Sequence, residues 1–279
     1  MSCRRGLGAS GRRALRRPAL NRYAGGMADI EAAEREFETQ LKAFEGHARS
    51  CATLAYTEFA LHFYAGGDFA IRDQLNRHPA FWNAVLAGLQ SSAFVALGRI
   101  FDKRSDTYSG TALIDFAEKY LGIFSRRAFE ARQVRIGLGL DVAKASAARA
   151  FELRTGGLAD LRQQFEAKQR IFEGKVAPIR HEVYAHAGKL TIEGREAMFT
   201  GLPLRDLEDL VVFPLRLERA LFQLYHNGRE PTLDPAPSII TEVIKSAPER
   251  GTSTWEHLHA AANVAGFLDW LRGTPLDDE

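Results

Sequence analysis

From Ile30 the chain places Phe37, Leu41, Phe44, Ala48, Cys51, Ala55, Phe59 and His62 at steps of three or four residues after one step of seven. At about 100° per residue, such steps keep one stripe on one side of a helix. A strand, with its period of two, would scatter the same set over both faces. Gly66-Gly67 closes this first helix. Pro79 is suited to open a second, whose stripe is Trp82, Leu86, Leu89, Ala93, Ala96 and Ile100. Shorter helical stretches read at 111–121 and 126–136, with Ser125 as an N-cap. A further long stripe runs Leu158, Leu161, Phe165, Phe172, Val176, Ile179, Val183, His186, and Gly188 closes it. Pro203 starts a helix that reaches Tyr225, bent near Pro214.

Residues 227–237, NGREPTLDPAP, carry no periodicity and many turn-formers, so they read as a linker. Beyond it, Ser253 with Glu256 reads as a capping box for a last helix ending near Leu271. The short β-type run 211–213 lies inside a helical pattern. The fold class expected is therefore all-α with five or six main helices. Its domain layout is a helical domain over 27–226, the linker 227–237, and a C-terminal helical extension over 238–279.

Composition narrows the class. With 46% apolar and 26% charged residues, the chain is neither disordered nor a membrane protein in type. No stretch reads as the roughly 18 uncharged apolar residues of a spanning helix. Two cysteines, Cys3 and Cys51, build neither a disulfide framework nor a cysteine-based zinc site. A cytoplasmic location without membrane contact is expected.

The net charge of +2 hides an asymmetry. Residues 1–26 hold seven arginines and no acid; without them, 30 basic groups face 35 acidic ones. A broad basic surface for nucleic acid is thus not expected of the folded part. The arm reads either as a mis-assigned start, with Met27 as the first residue, or as a transit peptide or phosphate-gripping segment.

Chemistry concentrates in one short run, Arg180-His181-Glu182-Val183-Tyr184-Ala185-His186. An imidazole titrates in the range where protons must move at neutral pH. A guanidinium offers a planar, permanent charge that matches a phosphate. On a regular helical wheel Arg180 and His186 stand about 120° apart and about 9 Å apart along the axis. One helix therefore positions them poorly for a single small group, whereas two copies about a two-fold axis could combine them. The bland alternative stays open: a histidine on an apolar stripe is often packed core, and an arginine beside it often pairs with an acid such as Glu182. His181 and His186 are five residues apart, not the four that place two zinc ligands on one face, so no metal site is read here. Neither Gly137-Leu138-Gly139 nor Glu173-Gly174-Lys175 completes a nucleotide-binding glycine motif. Arg99 and Asp102 read as a structural ion pair.

Arg180, the polar His181 and then His186 after five intervening positions resemble the signature of the HEPN superfamily. Residues 96–107, ALGRIFDKRSDT, and the helical layout are similar to its abortive-infection AbiU branch, with the likeness extending over roughly 30–226. The resemblance implies a HEPN-like helical bundle and a homodimeric, cofactor-free and metal-independent endoribonuclease of a defence or toxin type. Its catalytic pair would be Arg180 and His186, supported by His181, Glu182 and Tyr184. RNA would be the substrate and an antitoxin protein a candidate partner. Toxins of the superfamily paired with nucleotidyltransferase antitoxins often carry a tyrosine just after the histidine; Ala187-Gly188 stand there instead. Three functions stay open at this level: an RNA-cleaving enzyme, a HEPN protein that binds RNA or nucleotides without cutting, and a structural, partner-binding helical protein.

Overall fold

The computed structural model describes residues 27–104, 107–185, 191–246 and 255–273. The Arg-rich arm, His186, Gly188 and the capping serine Ser253 lie outside the described residues. Everything described is helix, turn or extended linker, with no strand among these residues. Helix α1 (Met27–Gly67) leads, followed by α2 (Phe69–Asn76) and α3 (Pro79–Ile100). A run of short helices comes next: α4 (Gly110–Lys119), a 3-10 turn (Leu121–Phe124), α5 (Arg126–Arg135) and α6 (Leu140–Arg149). Then α7 (Ala159–Ile171) continues through a π-helical turn (Phe172–Val176), the short α8 (Ala177–Ile179) and a second π-helical turn (Arg180–Ala185). Helices α9 (Ile192–Thr200), α10 (Leu204–Asn227), α11 (Ile240–Ser246) and α12 (Glu256–Gly273) complete the chain.

Local chemistry explains most boundaries. Ser125 accepts from Ala128 N at 3.2 Å and starts α5, and Asp68 does the same for α2 through Ala70 and Ile71. Pro79 occupies the first turn of α3. Gly228 ends α10 with φ of 59°, a left-handed position that glycine adopts without a Cβ penalty. Its carbonyl then accepts from Phe151 N at 2.7 Å, tying the end of α10 to the loop before α7.

Helix α1 is the post of the bundle, packing along α3, α10 and α12. Its first half buries a single stripe, Phe37, Leu41 and Phe44; from Ala48 onward burial widens to Cys51, Ala52, Ala55, Tyr56, Glu58, Phe59 and Ala60. Each large apolar side chain fully buried contributes about 1.5–3 kcal/mol. His62 departs from the stripe read in the sequence. It is exposed, and Leu61 takes the inward position.

Two further expectations change. Residues 79–98 carry no charge, and α3 is long and apolar enough to cross a membrane by length and composition alone. Here it packs against α1 through Ala93, Phe94, Leu97 and Ile100 while Phe81 stays 60% exposed. The linker and the described part of the extension pack into the same core as the helical domain, through Ile240, Val243, Leu258, Ala261, Val264 and Leu268. The linker and the start of the extension are strapped down: Arg216 Nε donates to Asp234 O at 2.7 Å, and Tyr56 Oη to Ser238 O. His257, fully buried, donates from Nε2 to Pro237 O at 2.7 Å, and burial lowers its pKa to about 4.

The far end of the bundle is held by a buried ion pair. Glu34, 3% exposed, pairs with Arg132, 6% exposed, and with Arg135. Arg132 also donates to Ile123 O at 2.6 Å and Tyr225 O at 2.9 Å, and lies 4.0 Å above the Tyr225 ring. One guanidinium thus joins α1, the 3-10 turn, α5 and α10. Removing one partner of such a pair strands a charge in the core. Arg132→Ala is expected to lower unfolding free energy by about 3–5 kcal/mol in urea titration, whereas Arg132→Met combined with Glu34→Gln should lose clearly less. Equal losses would show that packing, not charge, sets the effect.

Candidate functional site

The rod formed by α7, the first π turn, α8 and the second π turn carries the motif. Leu158, Leu161, Phe165, Phe172, Val176 and Ile179 bury its inner side, as the stripe predicts. Pro178 has no N–H to give Gly174, and its ring would crowd that carbonyl in a regular helix. The wider turn over Phe172–Val176 precedes it and removes the conflict. A second wide turn then spans Arg180–Ala185. With bonds reaching five residues back instead of four, successive side chains turn through less than 100°. The wheel that put Arg180 and His186 about 120° apart therefore does not hold for this segment, because it assumed a regular α-helix.

Arg180 is exposed, and its guanidinium end lies against α3. The contact is with Gly98, which is buried: a Cβ added there would collide first with a terminal guanidinium nitrogen of Arg180, and would come within 2.9 Å of its Cζ and 3.1 Å of its Cδ. Only the missing side chain opens the slot in which the arginine lies. Arg99 follows at once on α3, exposed, and neither arginine ion-pairs with an acid among the described residues. The ion pair expected between Arg99 and Asp102 is absent. Asp102 instead accepts the backbone N–H of Arg104 at 3.0 Å. Arg99 faces His47 of α1, whose pKa is lowered by burial first and by the arginine's charge second.

The supporting residues divide. Tyr184 turns inward, packs 5.3 Å from the Phe94 ring, and donates to Gln90 Oε1 at 2.5 Å. Gln90 Nε2 in turn donates to Glu58 Oε1 at 3.1 Å. This relay ties the second π turn to α3 and α1. Burial raises the phenol of Tyr184, and the Glu58 charge raises it further. Burial also raises Glu58 to about 7, against the opposing hydrogen bond from Gln90. His181 and Glu182 turn outward, with side chains 62% and 46% exposed and 3.8 Å between Nε2 and Oε1. They are not brought to Arg180 by any hydrogen bond among the described residues. No group of three His, Cys, Asp or Glu side chains that could hold a metal occurs among the described residues.

The sequence reading did not single out Gly98, Gln90 or Glu58, which surround Arg180 and Tyr184 here, and it read Arg99 as half of an ion pair. Gly98 leaves no periodic signal, and Glu58 sits at a polar position of an apolar stripe, where a carboxylate is ordinarily solvated. The signal available for Arg99 was its place in the segment ALGRIFDKRSDT.

Glu58 yields a pH prediction. Its pKa is 4.5 when unfolded and about 7 when folded, so the folded state holds more protons between those values. Stability is then full below about 4.5 and declines as pH rises to about 7. Glu218 follows the same course, raised by burial to about 7. His257, held at about 4, works in the opposite direction over the same window. The test is therefore a difference: between pH 4.5 and 7 the melting temperature of Glu58→Gln should fall less, or rise more, than that of the wild type. An unchanged slope in the variant would mean that Glu58 stays ionised.

The family model HEPN_AbiU2, described as AbiU2, matches residues 34–237. No curated protein and no solved structure matches the chain.

Proposed function

Because the chain belongs to the AbiU2 family of HEPN proteins, we propose that it is a metal-independent endoribonuclease of a defence or toxin-type system, with Arg180 and His186 as its catalytic pair. The observation that carries this reading is the seat of Arg180. An arginine that is exposed, whose guanidinium is seated over the bare backbone of Gly98 and which has no acid partner among the described residues presents the outer edge of its fork for phosphate. Arg99 adds a second positive charge beside it. The nucleophile is the RNA's own 2′-hydroxyl, which closes on phosphorus and releases its proton to solvent. The bond from phosphorus to the 5′ oxygen breaks, and His186 delivers a proton to that oxygen. The guanidinium neutralises the phosphoryl oxygens as charge grows there.

A second copy of the chain fits this reading. The apolar, largely exposed face of α3 flanks Gly98 and Arg180, with Val95 40% exposed. Covering it would bring two motif segments towards one axis. Light scattering at micromolar concentration is expected to give about twice the monomer mass, and Val95→Glu should return the chain to monomer. A strict monomer at all concentrations would remove the shared-site part of the proposal.

Catalysis is tested by incubating the full chain with mixed RNAs in excess chelator. Products should end in 2′,3′-cyclic phosphate, and DNA should survive. Arg180→Ala and His186→Ala should each lower cleavage by orders of magnitude, since proton transfer alone is worth about 10²–10⁴-fold. A HEPN protein that binds RNA without cutting would give retained RNA and no products. Cleavage that vanishes with chelator, or survives in both variants, would sink the mechanism.

A further inference from the structure

At the opposite end of the rod from Arg180 lies a cavity of about 940 Å³ between the start of α5, the end of α6, the loop before α7 and the residues after α10. Its charged lining is Arg126, Arg149, Arg154 and Arg229 against Glu152 and Glu230. None of the four arginines ion-pairs with either glutamate or with any other acid among the described residues. Arg126 spends its Nε on Ala150 O at 3.1 Å, so its outer nitrogens remain for another acceptor. It also stands in the first turn of α5, which has no acid there, and a positive charge at that helix end is unfavourable without an anion nearby. A basic concavity in a chain whose described part is otherwise acid-rich is thus a local feature that whole-chain charge conceals.

We propose that this cavity is a second docking site for RNA, holding backbone phosphates away from the Arg180 end. The inference rests on the reading of RNA as substrate. Its geometry fits a strand rather than a lone ion: four guanidinium groups line one wide hollow, and planar forks suit successive phosphates. From Ala159 to Arg180 the rod runs about 30 Å at ~1.5 Å per residue. A strand longer than this engages both ends, and the second contact becomes intramolecular.

The test uses the full chain and a fluorescent 2′-O-methyl RNA of roughly 16 nucleotides, which binds both ends but lacks the attacking hydroxyl. The combined Arg149→Ala, Arg154→Ala, Arg229→Ala variant changes exposed positions and should keep its melting temperature. It should bind at least about tenfold more weakly at 0.1 M salt, and its slope of log affinity against log salt should fall by about two, three contacts at ~0.7 each. Glu152→Gln with Glu230→Gln should bind several-fold more tightly. Unchanged RNA affinity in the triple variant overturns the proposal. So does a result in which inorganic phosphate raises the melting temperature of the wild type but not of the variant while RNA affinity is equal, which would mark a small-anion site. If RNA is cleaved normally and only this test fails, the docking site alone falls; if the wild type binds no RNA, the reading of its function falls with it.

Discussion

The whole arrangement depends on α1 losing its polar face halfway along. Up to Thr53 it is an ordinary amphipathic helix, with Arg49, Ser50 and Thr53 exposed; from Leu54 to Leu61 no residue is exposed, and the helix as a whole packs along α3, α10 and α12. Burial on several sides is favourable only if the side chains there are apolar or satisfied. Small residues, Ala48, Cys51, Ala52 and Ala55, let three helices approach closely, and Tyr56 reaches the backbone carbonyl of Ser238, just after the linker. Glu58 is the exception. It is kept because Gln90 supplies a donor, and the cost of its burial appears as a proton held to about 7.

That exception connects the scaffold to the motif. Through Gln90, the carboxylate on α1 orients a carboxamide on α3, whose oxygen receives the phenol of Tyr184. The second π turn is therefore fixed by polar contacts inside and by Phe94 packing, while His181 and Glu182 remain in solvent. Arg180 is fixed differently, by the absence of a side chain at Gly98. Two neighbouring motif residues are thus held by opposite means, one by hydrogen bonding and one by a steric slot. Both anchors sit on α3, so any shift of that helix moves them together.

Charge is organised locally in the same way. Arg132 is buried at one end of the bundle, engaged through both terminal nitrogens while its Nε has no hydrogen-bond partner among the described residues. Arg149, Arg154 and Arg229 are gathered nearby around a hollow without acid partners among the described residues. Summed over residues, these arginines vanish into a nearly neutral balance; placed in space, they make separate environments with separate uses.

The sequence by itself determined the helices, because the periodicity of apolar side chains is a local property that each segment carries alone. Pro79 and Ser125 marked real boundaries, and Leu158, Leu161, Phe165, Phe172, Val176 and Ile179 all face inward as spaced. It also drew attention to Arg180, where a guanidinium and two histidines fall within seven residues. Only the tertiary structure decided the winding of 172–185, which answers to Pro178 and to packing against α3 rather than to any pattern. Likewise, it decided that Gly98 is a slot, that Glu58 is a buried proton reservoir, that Arg99 stands apart from Asp102, and that the extension belongs to the core. Each of these depends on residues far apart in the chain meeting in space, and no one-dimensional spacing encodes which of them will meet.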